Sequence, residues 1–212
     1  MNHNKGANMK RCLIIAGGDY APIEPEEGDF VLACDRGYAW CRREGIVPDL
    51  ILGDFDSYSG KLPEGVPILR YPVEKDDTDT MLAVRWASEQ GFEAVRICCC
   101  FGGRLDHLLS NVETMHYAAT LGMEAEARDE NTYLRVLRPG RYTLPYREGQ
   151  SLSLIALTEH VKGLTIRGAK YEVENAALHK PTTLGQSNAF VTDVKLSYES
   201  GMLAMICCRL EG

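Results

Sequence analysis

A chain of 212 residues with 45% hydrophobic content has room for one large domain or two small ones, and enough apolar material for a real core. Its formal net charge of -7 argues against non-specific binding to nucleic acid, and any phosphate ligand would have to be met by a metal or by local Arg and Lys. No apolar run approaches the length of a bilayer span, so no membrane partner is expected.

In chain order, Arg11–Ala16 reads as a buried strand closed by Gly17-Gly18-Asp19, and Phe30–Cys34 as a second closed by Asp35-Arg36-Gly37. A helix over Tyr38–Glu44 ends at Gly45. Leu50–Leu52 is a third strand and Pro67–Tyr71 a fourth. Asp77-Thr78-Asp79 offers N-caps for a helix from Thr80 to Gln90, Ala94–Phe101 is a fifth strand, and apolar residues at helical spacing predict a helix over 104–121. Strands alternating with helices imply a mostly parallel sheet flanked by helices, an α/β domain over residues 9–138. The pattern changes near Pro139-Gly140. From there short strands with turn signals (Arg141–Leu144, Ser151–Leu157, Val161–Ile166, Phe190–Ser197, Met202–Cys208) predict a C-terminal all-β sandwich over 139–212.

The eight cysteines lack any Cys-x-x-Cys spacing and sit mainly in apolar strand-like runs, so they read as reduced, buried thiols of a cytoplasmic protein. Nothing in Met1–Gly6 reads as an export signal.

The chemistry concentrates in three acidic or glycine-rich clusters. Gly53-Asp54-Phe55-Asp56-Ser57 directly follows a strand, and two close carboxylates stay ionised easily only with a cation between them. Hard oxygen ligands of this kind suit Mg²⁺, which commonly brings substrate phosphates. Lys75-Asp76-Asp77-Thr78-Asp79 opens a helix. One acid there serves as a cap, but three exceed what a cap needs, and the surplus can join the metal site with Lys75 placed to touch phosphate. Phe101-Gly102-Gly103-Arg104-Leu105-Asp106-His107 is a strand, a glycine turn and a helix start; its free N–H groups and the Arg104 fork suit an anion. His107 can be a base, although a histidine at a helix end is more often structural. All twelve aspartates except Asp193 precede residue 139, which places the short acids of a tight metal site in the first domain. Neither a P-loop nor a Gly-x-Gly-x-x-Gly fingerprint is present.

With Asp35-Arg36-Gly37, Pro48-Asp49 and Gly185-Gln186-Ser187-Asn188 added, these motifs stand in the order seen in the thiamine pyrophosphokinases, which the chain resembles over about residues 11–208. The resemblance implies transfer of a pyrophosphoryl group from ATP to the hydroxyl of thiamine, giving thiamine diphosphate and AMP. It implies a homodimer with active sites shared between subunits. Carried across by motif, Asp54, Asp56 and Asp79 are the Mg²⁺ ligands and, with Asp106, the catalytic acids. Asp35, Lys75, Asp77, Thr78, Arg104 and His107 contact substrate or phosphate, and Ser187 and Asn188 belong to the thiamine pocket. The family often has an acid after Ser-Asn; here Ala189 stands there, so any ionic contact from that position to the thiamine cation is missing. Two rival readings are a Mg²⁺-dependent hydrolase of nucleoside or thiamine phosphates, which would use the same carboxylates with water as nucleophile, and a non-catalytic thiamine- or nucleotide-binding sensor, which has no need of three acidic clusters.

Overall fold

The computed structural model describes residues 9–55, 60–72, 74 and 76–210, and the chain divides into two compact units, Met1–Ala125 and Glu126–Gly212. The first unit holds strands β1 (Arg11–Ile15), β2 (Phe30–Cys34), β3 (Leu50–Gly53), β4 (Ile68–Arg70) and β5 (Ala94–Cys98), with helices α1 (Gly37–Glu44), α2 (Asp79–Glu89) and α3 (Leu105–Thr120). The strands lie in the order β5-β1-β2-β3-β4, and every pairing among them is parallel. Strands covered on both faces need apolar residues at consecutive positions, and Cys12 to Ile15 are all buried. Leu13, Ile15, Val31 and Ala33 share a cluster with Tyr38 and Cys41 of α1. On the alternate positions, Phe30 stacks on Trp86 of α2 at 5.3 Å and the Cys34 thiol reaches the Asp79 carbonyl. The two helices therefore cover opposite faces of the sheet.

Strand β5 stops at Cys98, three residues short of the sequence expectation. Cys99 adopts a left-handed φ of 54°, which turns the chain out of the sheet, and the Asn111 amide then holds the Cys100 carbonyl at 2.9 Å. All eight cysteines are free thiols.

Strand β6 (Glu124–Arg128) carries the chain out of the first unit; the division falls inside it, whereas the sequence pattern changes later, at Pro139-Gly140. The second unit adds β7 (Thr132–Leu137), β8 (Gly140–Leu144), β9 (Ser151–Ala156), β10 (His160–Ala169), β11 (Val173–His179), β12 (Asn188–Tyr198) and β13 (Leu203–Cys208). These strands pair antiparallel, so the sheet that runs on from the parallel strands of the first unit is mixed. The long β12 pairs with β9 through Asn188 and Ala189 and with β8 through its last five residues, which links two sets of strands. Leu152, Leu154, Leu203 and Met205 from one set and Val161, Leu164, Val194 and Leu196 from the other fill one core. Among the described residues, no helix is long and apolar enough to cross a membrane.

Candidate active site

Three aspartates converge in the first unit. Asp35 follows β2 directly, its N–H bonded to the Leu52 carbonyl at 2.8 Å and its φ at 41°. That left-handed conformation is uncommon outside glycine and is tolerated by Asp. Gly37, two residues on, starts α1 hard against the end of β1: a Cβ there would stand 2.0 Å from the Ile15 carbonyl oxygen. Gly53 closes β3 at a φ of 154°, and a Cβ on it would sit 3.0 Å from the Asp35 Cβ, so the glycine clears the room that Asp35 occupies. Asp54 follows, and Phe55 (φ 64°) turns its ring under the Arg70 guanidinium at 4.8 Å. Asp79 is the first residue of α2, whose N-cap is Thr78; the Thr78 hydroxyl accepts from the Met81 N–H at 3.2 Å.

Carboxylate oxygens of Asp35, Asp54 and Asp79 all lie within 4.8 Å of one another, with Asp35 buried and the other two half-buried. Octahedral Mg²⁺ with oxygens at about 2.1 Å sets neighbouring ligands about 3 Å apart and opposite ones about 4.2 Å apart, so the trio would draw in to hold the ion. Like charges this close repel unless a cation intervenes, and the all-oxygen donor set fits a hard one. Behind the trio, burial first and the Asp79 carboxylate second push the Cys34 thiol well up, so it stays neutral beside the acids. Asp35 is thus a third member of a cluster for which the sequence named Asp54, Asp56 and Asp79. Asp56 and Lys75 lie outside the described residues.

The glycine turn after β5 differs from expectation. The Gly103 N–H, read as open to an anion, donates to Asp19 Oδ2 at 3.1 Å. Backbone bonds from Gly18 to Cys99 and from Asp19 to Phe101 (2.8 and 3.1 Å) lace the two loops together. An internal carboxylate thus takes one of the N–H groups that this turn would offer an anion. Arg104 forks onto Asp106 with bonds of 3.1 and 2.5 Å, both side chains largely exposed. This partner holds the Asp106 carboxyl below the usual carboxylate range. The His107 N–H also donates to Asp106, and its side chain is exposed on the first turn of α3. Asp77 pairs with Arg85 at 2.8 Å, and Arg85 also donates to the Tyr117 hydroxyl of α3. The Thr78 hydroxyl serves as the cap of α2, and the residue itself is exposed.

In the second unit, Gln186 and Asn188 line a cavity of about 330 Å³ walled mainly by aliphatic residues such as Leu152, Leu164 and Leu178. Asn188 is buried and clamps Tyr171, another lining residue: its Oδ1 accepts from the Tyr171 N–H at 2.9 Å and its Nδ2 donates to the Tyr171 carbonyl at 2.8 Å. Asn188 therefore builds the wall. Ser187 is exposed at φ 60°, its N–H bonded to Ser153. Tyr171 escaped the sequence reading, with no motif to mark it; Asp19 was legible as an acid at a strand end, but its bond to the Gly103 N–H was not.

Known proteins share this fold. Residues 25–126 match the family "Thiamin pyrophosphokinase, catalytic domain" and residues 141–203, which contain every cavity-lining residue, match "Thiamin pyrophosphokinase, vitamin B1 binding domain". The thiamine pyrophosphokinase of Bacillus subtilis (strain 168) is 30% identical over 210 residues, covering 93% of this chain and 98% of the relative. The crystal structure of thiamine pyrophosphokinase from Bacillus subtilis superposes with a TM-score of 0.86 at 28% identity, over 94% of this chain and 99% of that one. A thiamin pyrophosphokinase family protein from Enterococcus faecalis reaches 0.83 at 31% identity, over 95% and 100%. Aligned with such relatives over nearly its full length, and matched in both of its units, the chain belongs to the thiamine pyrophosphokinase family.

Proposed function

We propose that Asp35, Asp54 and Asp79 hold Mg²⁺ against the triphosphate of ATP while the second unit binds thiamine. The reaction is that of the family: transfer of the pyrophosphoryl group of ATP to the thiamine hydroxyl, with thiamine diphosphate and AMP as products. The observation that carries the assignment is the meeting of three carboxylates, from two strand ends and one helix start, within 4.8 Å.

Bound Mg²⁺ would neutralise phosphate charge and orient the β-phosphorus for attack. The chain's own residues do the rest. Thr78 caps α2 and fixes Asp79, and Gly53 and Gly37 fix Asp35. Asp56 and Lys75 extend the metal and phosphate contacts. Arg104 transfers its fork from Asp106 to a phosphate. Asp106, once released, returns toward the ordinary carboxylate range and becomes the better proton acceptor for the alcohol. The apolar cavity beside Gln186, Ser187 and Asn188 receives the vitamin, with Tyr171 at its wall. Two copies form a homodimer in which each thiamine pocket meets the partner's carboxylates, a reading supported by the exposed Leu184 and Val191 of the second unit.

The test is to incubate the purified chain with ATP, Mg²⁺ and thiamine and to weigh the products. Thiamine diphosphate and AMP should appear together, and AMP only when thiamine is present, which separates transfer from hydrolysis. Asp54→Asn and Asp79→Asn should each cut turnover by about a hundredfold or more with the fold intact. Near-normal turnover in both would remove the metal assignment.

A further inference from the structure

Five histidines occur in the chain, and two of them face each other far from the aspartates in sequence. His160 opens β10 and His179 closes β11, and the two are register partners in an antiparallel pair. Their Nδ1 atoms are 2.8 Å apart and the rings meet edge to face at 80°. Strand alternation turns both outward: the neighbouring Val161 and Leu178 are buried in the core, whereas His160 and His179 are exposed. β11 is the edge strand of its sheet, so the approach is open.

The backbone under the pair is held firmly. The ladder runs one step further, with the Lys180 N–H on the Glu159 carbonyl at 3.1 Å. The Thr158 hydroxyl donates to the His160 carbonyl and the Thr182 hydroxyl to the His179 carbonyl, at 3.1 and 2.6 Å. Two nitrogens at 2.8 Å can share only one proton, one ring donating and the other accepting.

We propose that His160 and His179 form a binding site for a transition-metal dication such as Zn²⁺, the ion taking the place of the shared proton. Zinc binds imidazole nitrogen at about 2.0–2.1 Å, which sets two tetrahedral ligands about 3.3 Å apart, so the pair needs to open by only about half an ångström. Small rotations of two exposed rings supply that. Among the described residues the only group of three possible ligands is the aspartate trio, so water completes the coordination here and the site is labile. The pair sits at the open end of the β10–β11 hairpin, whose inner faces give Leu164, Ile166, Val173 and Leu178 to the cavity wall. An ion would therefore pin that wall from outside.

Histidine-ring NMR of the full chain under saturating Mg²⁺, titrated with Zn²⁺, tests this. The rings of His160 and His179 should shift together on one binding curve, with His107 and His116 as internal references. In His160→Gln the His179 response should vanish, and in His179→Gln the His160 response. Both positions are exposed, so the variants should fold, and under the same saturating Mg²⁺, Zn²⁺ should raise the melting midpoint of the wild type more than that of either variant. If the two rings respond no more than the reference histidines, or if one responds unchanged without the other, the pair is a hydrogen bond and not a metal site.

Discussion

Gly37 shows how closely the site depends on single atoms. The 2.0 Å approach to the Ile15 carbonyl involves backbone that cannot rotate away, so a methyl group must push α1 off the sheet. Gly37→Ala should cost about 3 kcal/mol in urea denaturation, the upper range for overpacking, and should lower turnover as well, because Asp35 lies two residues upstream. An unchanged urea midpoint would mean that the helix start has room the geometry denies. Its neighbour Asp35 was legible from the sequence as a site acid at a strand end, but not as a member of the carboxylate cluster. Asp54 and Asp79 were legible as acids at a strand end and a helix start. Asp35 had equal chemistry, but its place beside Asp54 depends on β2 and β3 being parallel neighbours in a register that sets Cys34 against Leu52. No local pattern encodes that pairing. Asp19 is a similar case: its carboxylate takes an N–H 84 residues further along the chain, and a lone acid after two glycines gives no sign of it.

At the scale of elements, α2 owes its start to one hydroxyl. Thr78→Ala removes the acceptor for the Met81 N–H and should cost about 1 kcal/mol, with Thr78→Ser retaining most of it. Because Asp79 is the next residue, turnover should fall in Thr78→Ala and recover in Thr78→Ser. Loss of stability without any change in turnover would detach the cap from the site. A second link ties β1, β5 and the loop before β2. Arg11 bonds Asp29 at 2.7 Å and Glu26 at 2.9 Å, and Arg96 bonds Glu26 at 2.7 Å. The Arg11 and Arg96 guanidiniums hold the Glu26 carboxyl at about 2 against its ordinary 4.5. A carboxyl depressed in the folded state stabilises fully above its ordinary value and loses that contribution as the pH falls toward 2. Glu26 is half exposed, so screening reduces the effect: Glu26→Gln should cost about 1 kcal/mol at pH 7 and almost nothing at pH 2, read as urea midpoints across that range. A pH-independent difference would place the effect in packing instead. Strands such as β1 to β3 were legible because burial on both faces demands an apolar run. β6 and β11 were not. Glu124-Ala125-Glu126-Ala127-Arg128 alternates charge with alanine, residues poor in strand propensity, although Ala125 and Ala127 are fully buried and the period of two was there to read.

At the scale of the whole molecule, the proposed shared site makes a prediction that no single-chain mechanism shares. Asp54→Asn removes a carboxylate of the first unit, and Asn188→Ala loosens the Tyr171 wall of the second. If each active site takes its carboxylates from one copy and its thiamine pocket from the other, two inactive proteins can repair each other. Mixed under conditions that exchange subunits, half the dimers become heterodimers. Each of these has one site carrying both lesions and one site carrying neither, so the mixture should regain about a quarter of wild-type turnover. Should both functions of a site come from the same copy, every site in the mixture carries one lesion and the activity stays at the level of the parents. Sedimentation of each variant before mixing distinguishes a failure to complement from a failure to associate, since Asp54→Asn leaves the apolar surface at Leu184 and Val191 untouched and should sediment as the wild type does.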